Sequence, residues 1–180
     1  SLSAAFAGGK RLLIISTDDL EPGKRLAAHK NAVAAATKEG ITHIVYTSLT
    51  NPVEESPITF AKDHSDTEAL IKETGASYTI LRNNIYTDLV LMGGGQSIGM
   101  GQHFAAAAEG KTGYVTRADC ARAAAAALMQ ETGSSVLDIT GPAALSQSDI
   151  AAFLSEISGK DIPYIPISTD DLVQAMIGAG

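Results

Sequence analysis

Three places in the chain set polar side chains at the end of an apolar run. Residues 77–88 read SYTILRNNIYTD, so the run gives way to Arg82, Asn83, Asn84, Tyr86 and Asp88 within seven positions. RLLIIS leads into Ser16 and Thr17, and ITHIVYTS closes on Thr47 and Ser48. Hydroxyls and carboxamides hydrogen-bond a ligand without adding charge. The phenol of Tyr86 can stack on a flat molecule or donate a hydrogen bond; its alternative use is as a half-buried lid on the core. His64 titrates near neutral pH and could hand over a proton; its alternative is a helix residue bonded to a neighbouring loop. Glu68 follows one helical turn later and could pair with it.

Such groups act together only if the chain brings them to one edge. RLLIIS (11–16), ITHIVYTS (41–48) and SYTILR (77–82) are continuous apolar, β-branched runs suited to strands buried on both faces. KRLAAHKNAVAAATKEG (24–40) and FAKDHSDTEALIKETG (60–75) between them are helices closed by glycine. Strand–helix–strand–helix–strand with such long connections implies a parallel, right-handed sheet. In an open sheet of this kind ligands bind in the crevice at the carboxyl ends of the strands. SLSAAFAG (1–8) reads as the last turns of a helix. NNIYTDLVLM starts a helix with an Asn near its N-cap, and GGGQSIGMGQ (93–102) is a flexible Gly-rich loop. TGYVT (112–116) is a short strand, RADCARAAAAALMQETG (117–133) a helix and SVLDIT (135–140) a strand. Ser146 and Asp149 have the S-x-x-D form of a capping box, IPYIPI (162–167) is an edge strand because of its prolines, and STDDL opens another helix. The expected organisation is a Rossmann-like core over 1–92, a flexible segment over 93–111 and the rest of the core with a small substrate region over 112–180.

Composition narrows the function classes. The chain of 180 residues has 45% hydrophobic and 18% charged residues, an ordinary globular balance. Its net charge is −7 and its 13 Lys and Arg are scattered, which argues against a nucleic-acid partner. Cys120 is the single cysteine, so no internal disulfide or cysteine zinc site forms, and it reads as a small buried filler. No pair among the four histidines has helical metal-ligand spacing, so no metal is expected. No apolar run reaches the roughly 18 residues of a membrane span, and no basic-then-apolar leader opens the sequence, so a cytoplasmic location is expected. Gly93 and Gly95 invite comparison with the dinucleotide fingerprint, but Ile98 takes the third glycine's place and the preceding YTDLVLM reads as helix.

Several blocks taken in order, AFAGGKRLLIIST, AAHKNAVAAATKEGITHIVYTSL, DHSDTEALIKETGASYTILRNNIYTD and VTRADCARAAAAAL, resemble the NmrA-like atypical short-chain dehydrogenases. The likeness is strongest to the bacterial NAD(P)H:quinone oxidoreductase and triphenylmethane dye reductase branch. It covers about residues 1–165. It implies a Rossmann-like, doubly wound parallel sheet, here without the family's N-terminal G-A-T-G-x-x-G turn and without its C-terminal end, and NADP or NAD as cofactor. It places Ser16 and Thr17 near a cofactor ribose, Thr47 and Ser48 near the nicotinamide ribose, and Asn83 and Tyr86 at the nicotinamide or acceptor face. The Tyr-x-x-x-Lys stretch of typical short-chain dehydrogenases corresponds to His64–Glu68, so both usual catalytic types are absent. His29 and Asn31 also match the family and are read as structural, tying their helix to an adjacent loop. Three readings stay open: a reductase passing hydride to a quinone-like flat acceptor, a non-catalytic redox-sensing regulator that binds dinucleotide and a protein partner, and an inactive fragment. In the last, a homo-oligomer would cover the edge that missing strands expose.

Overall fold

The computed structural model describes residues 1–130 and 133–179. In chain order its elements are α1 (Leu2–Phe6), β1 (Arg11–Ile14), α2 (Lys24–Lys38), β2 (His43–Leu49), α3 (Ala61–Glu73), β3 (Ser77–Asn83), α4 (Thr87–Met100), β4 (His103–Ala105), β5 (Lys111–Thr112), α5 (Arg117–Met129), β6 (Ser135–Ile139), β7 (Leu145–Ser146), α6 (Gln147–Ser158), β8 (Tyr164–Pro166) and α7 (Thr169–Ala179). Among the described residues no helix is long and apolar enough to cross a membrane. Two compact units emerge, one from Ser1–Asn84 with Ala118–Ile139 and one from Ile85–Arg117 with Thr140–Gly180.

The first unit is built on a four-stranded parallel sheet in the order β1-β2-β3-β6. Alternate side chains of β2 decide its two faces. Ile44 and Tyr46 pack with Ile14 and Ile80 against Val33 and Ala36 of α2 and Ile71 of α3. Val45 and Leu81 pack against Ala124 and Ala127 of α5. Small alanines let α5 lie close to the sheet, and this α/β layering matches the expected doubly wound class. Arg11 draws the first strand to the end of α5: its guanidinium donates to the carbonyl of Ala127 at 3.0 Å and also to those of Leu128 and Gln130. A cation there meets carbonyls that the helix leaves without partners. Cys120 is buried, 7% exposed.

The second unit pairs β4 with β8 in parallel and β5 with β7 antiparallel. Its core joins Ile150 and Leu154 of α6 to Ile162, with Val90, Ile98 and Tyr114 packed against them. The capping box forms: Ser146 Oγ accepts the Asp149 N–H at 3.1 Å, and Asp149 Oδ2 accepts the Ser146 N–H at 2.8 Å.

The expectation of a flexible loop is corrected here. The segment 93–102 is no flexible loop, because α4 runs through its glycines to Met100; the helix's N-cap is Tyr86, two residues after Asn84. Glycine weakens a helix by roughly 1 kcal/mol per residue, but Gly94 is needed where α4 meets α6. A Cβ there would stand 2.8 Å from Leu154 Cδ2. The second unit begins at Ile85 and is assembled from two stretches of chain.

Candidate functional site

The first unit's strand ends hold most of the residues singled out by sequence. Ser16 and Thr47 meet at the ends of β1 and β2: the Ser16 N–H donates to Thr47 Oγ1 at 2.9 Å, and the Thr47 hydroxyl lies 3.4 Å from Ser16 Oγ. Both residues are partly exposed, and the Thr47 hydroxyl is turned onto Ser16, which leaves the Ser16 O–H as the donor of the pair. Thr17 spends its hydroxyl within the loop, where its Oγ1 accepts the Asp19 N–H at 3.3 Å. The Thr17 N–H donates to His29 Nε2 at 3.2 Å, so the helix-to-loop tie made by His29 is present. That bond leaves the hydrogen on Nδ1, which reaches Thr67 Oγ1 at 2.9 Å, and Thr67 donates to the carbonyl of Asp63 at 2.6 Å.

Tyr46 and His64 continue this buried chain. With His29 Nδ1–H directed at Thr67, the Tyr46 phenol donates to His64 Nδ1 at 2.8 Å. His64 is only 4% exposed. Burial, then the nearby charge of Arg25, lowers its pKa from 6.5 to about 4. Burial and Arg25 lower His29 in the same direction. Burial pushes the Tyr46 phenol well above its ordinary value. Neutral rings and a neutral phenol therefore fill this part of the core at physiological pH.

Ser48 and Glu68 form a second buried cluster. Ser48 donates to Glu68 Oε1 at 2.7 Å, and Arg82 grips the same carboxylate with two bonds, Nε to Oε1 at 2.9 Å and Nη2 to Oε2 at 2.7 Å. Burial alone would raise the Glu68 pKa; hydrogen bonds from Arg82 and Ser48 outweigh it and hold the carboxyl below its usual range. The expected pairing of Glu68 with His64 is thus replaced by a planar, bidentate ion pair across to β3. Asn83 is 5% exposed at the end of β3, where its carbonyl accepts the Thr50 N–H at 3.1 Å and holds the loop after β2.

In the second unit, Tyr86 lies under Arg117, whose guanidinium carbon is 4.3 Å from the ring centroid, and Arg117 also meets Asp88 at 3.4 Å. This cation–π stack fixes the ring at the start of α4. The same unit contains features that sequence reading missed. A cavity of about 830 Å³ is lined by Ile85, Leu89, Val90, Phe104 and Ile150 among others. A polar chain, Ser97–His103–Gln147–Tyr114, borders it. The signal that could have found the chain is weak: a serine in α4, a histidine just past its end, and a glutamine directly after a helix cap.

A parallel sheet covered by helices on both faces defines a Rossmann-type nucleotide-binding fold. The chain belongs to the NAD(P)H-binding family, whose sequence pattern matches residues 1–131. It is 35% identical over 182 residues to quinone oxidoreductase 2 of Escherichia coli (strain K12), covering 100% of this chain and 62% of that protein. It is 25% identical to an NAD(P)H azoreductase of Xenophilus azovorans, again with 100% of this chain and 62% of the relative covered. Among solved structures it superposes on the NADPH complex of the Escherichia coli NADPH-dependent quinone oxidoreductase with a TM-score of 0.91, at 33% identity, over 99% of this chain and 62% of that one. The NADP(H) complex of the Citrobacter sp. triphenylmethane reductase gives 0.86 at 35% identity, over 100% and 64%. The chain thus spans less than two thirds of the length of these relatives.

Proposed function

We propose that this chain binds NAD(P)H and belongs to a cytoplasmic reductase that passes hydride to a quinone or a similarly flat, electron-poor acceptor. The structural observation that carries the reading is the Ser16–Thr47 pair. The two residues are partly exposed at adjacent carboxyl strand ends, and with Thr47 donating to Ser16 Oγ the Ser16 O–H remains to bond a ribose hydroxyl. The donor set therefore fits a dinucleotide's sugar. Bound NAD(P)H would supply the hydride. In this reading Ser16 and Thr47 hold the ribose, while Thr17, through His29, fixes the backbone beside them. Ser48 acts indirectly by orienting Glu68 and hence Arg82 on the sheet face. Asn83 anchors the loop after β2, and Tyr86 is held beneath Arg117 within the second unit. The reduced oxygen takes its proton from water, because His64 is sealed and neutral, and we assign His64 the role of positioning Tyr46.

The burial of both His64 and Glu68, each bonded within the protein, favours one second reading: a regulator that binds dinucleotide without turning it over. Titration of the chain with NADPH and NADH, followed by the rate of NADPH oxidation with 1,4-benzoquinone, separates the two. Turnover that falls at least tenfold in Ser16→Ala/Thr47→Val supports the reductase. Binding without turnover supports the regulator. Absence of binding by a folded chain overturns both.

A further inference from the structure

The polar chain beside the second unit's cavity has a direction. Gln147 presents Oε1 to His103 Nε2 at 2.8 Å and Nε2 to the Tyr114 hydroxyl at 3.1 Å. The amide oxygen only accepts and the amide nitrogen only donates. His103 therefore carries its hydrogen on Nε2, and its Nδ1 accepts from Ser97 Oγ at 3.0 Å. At the other end Tyr114 must use its oxygen to accept from Gln147. Its own hydrogen is left over, on a hydroxyl whose residue lines the cavity.

The surroundings hold that hydroxyl in place. The Tyr114 ring packs against Ile150, Leu154 and Ile162. Its backbone is pinned by Gly141: a Cβ at that position would lie 1.9 Å from the Tyr114 carbonyl oxygen, so no larger residue fits. Ser97, His103 and Gln147 already spend their facing groups on one another. The remaining wall is mostly apolar; Gln96 also lines it, but as an exposed side chain of α4 that no described residue holds in one direction. Asp171 adds one carboxylate, itself engaged by Ser168 Oγ at 2.7 Å, which disfavours an anionic occupant. At about 830 Å³ the space lies within the usual range for small-molecule sites.

We propose that this cavity is a binding site for a neutral, flat, largely apolar carbonyl compound, with the Tyr114 O–H donating to the carbonyl oxygen. Tyr114 is the specificity-determining residue, and the Ser97–His103–Gln147 chain is what aims it. Binding here requires no nicotinamide, so it stands or falls separately from the reductase reading.

The test uses a matched pair of ligands that differ in one group, 1-tetralone and tetralin, titrated into the 180-residue chain without cofactor. Calorimetry gives the affinities, and amide NMR shifts locate the site. The expected result is that the ketone binds about five- to tenfold more tightly than the hydrocarbon, as one neutral hydrogen bond allows. Shifts should gather on residues around Tyr114 and Leu89. Tyr114→Phe removes the preference and leaves tetralin binding unchanged. Gln147→Glu does the same with the phenol still present, because a carboxylate accepts the Tyr114 hydrogen and turns it away from the cavity. Gly93→Leu fills the space from α4, where a side chain meets no neighbour within 4 Å, and abolishes binding of both ligands while the melting temperature holds or rises. The proposal is overturned if tetralone and tetralin bind equally, if Tyr114→Phe keeps the preference, or if the shifts fall on the first unit.

Discussion

The two units use the same side-chain types in opposite ways. In the first, His29, Thr67, Tyr46 and His64 form a chain of hydroxyls and imidazoles whose inner members are sealed in the core. In the second, Ser97, His103, Gln147 and Tyr114 form a chain of similar length that ends on open space. Residue type does not tell these apart. What matters is whether the last donor meets protein or a cavity. A closed chain contributes to stability, and its breakage leaves buried polar atoms without partners. An open chain is nearly neutral for stability and leaves a hydrogen bond available to something else.

The largest expected effect lies in the closed region. Glu68→Ala leaves Arg82 and Ser48 without their shared carboxylate, and removing one partner of a buried pair costs about 3–5 kcal/mol. Urea unfolding of the variant measures this, and a loss under about 1 kcal/mol would show that water reaches the pair through Arg82, whose side chain is 30% exposed. Next comes acid. The folded pKa of His64, about 4, lies below its ordinary 6.5, so the unfolded chain binds more protons between those values. Stability is therefore complete above about pH 6.5 and falls toward pH 4, by on the order of 3 kcal/mol. His64→Asn keeps a group facing Tyr46 but takes up no proton, and its stability–pH curve should be flatter across that window.

A direct contrast between the regions follows from one pair of substitutions. Tyr46→Phe strands His64 Nδ1 in the core and should cost about 1–3 kcal/mol. Tyr114→Phe, at the cavity, should cost about 0.5 kcal/mol or less. Equal costs would erase the distinction between closed and open chains. The smallest effect separates neighbouring glycines of α4. Gly93→Ala meets empty space and should stabilise by roughly 0.5–1 kcal/mol, whereas Gly94→Ala meets Leu154 and should lose that gain or reverse it. Thermal melts of the two variants make the comparison.

Much of the sheet was legible in the sequence. RLLIIS, ITHIVYTS and SYTILR are continuous apolar runs, and such runs have few alternatives to a strand buried on both faces. The Ser146–Asp149 box was equally plain, because it is a local device. Residues 93–102 misled, since three glycines argue for a loop on propensity, whereas α4 packs Val90 and Ile98 on the core of α6 and leaves room for Leu154 only at Gly94. Among candidate site residues, Ser16 and Thr47 could be located by their place after strands. Neither the preference of Glu68 for Arg82 over His64 nor the cavity chain through Gln147 could be, because both depend on contacts between elements distant in sequence. The polar cluster that follows SYTIL has divided uses: Arg82 neutralises a buried carboxylate, Asn83 anchors a loop, and Tyr86 is stacked beneath a cation.

The discontinuity of the first unit bears on how the chain is made. Its first three strands are complete by Asn83, but the strand that borders β3 begins only at Ser135, about fifty residues later. At ribosomal speed that interval lasts a few seconds. Throughout it the outer rim of β3 stands unzipped, a template for any passing extended segment. A newborn chain of this kind is therefore most vulnerable between the synthesis of β3 and that of β6, and a translational pause placed between those two strands would lengthen that exposure and lower the yield of correctly folded protein.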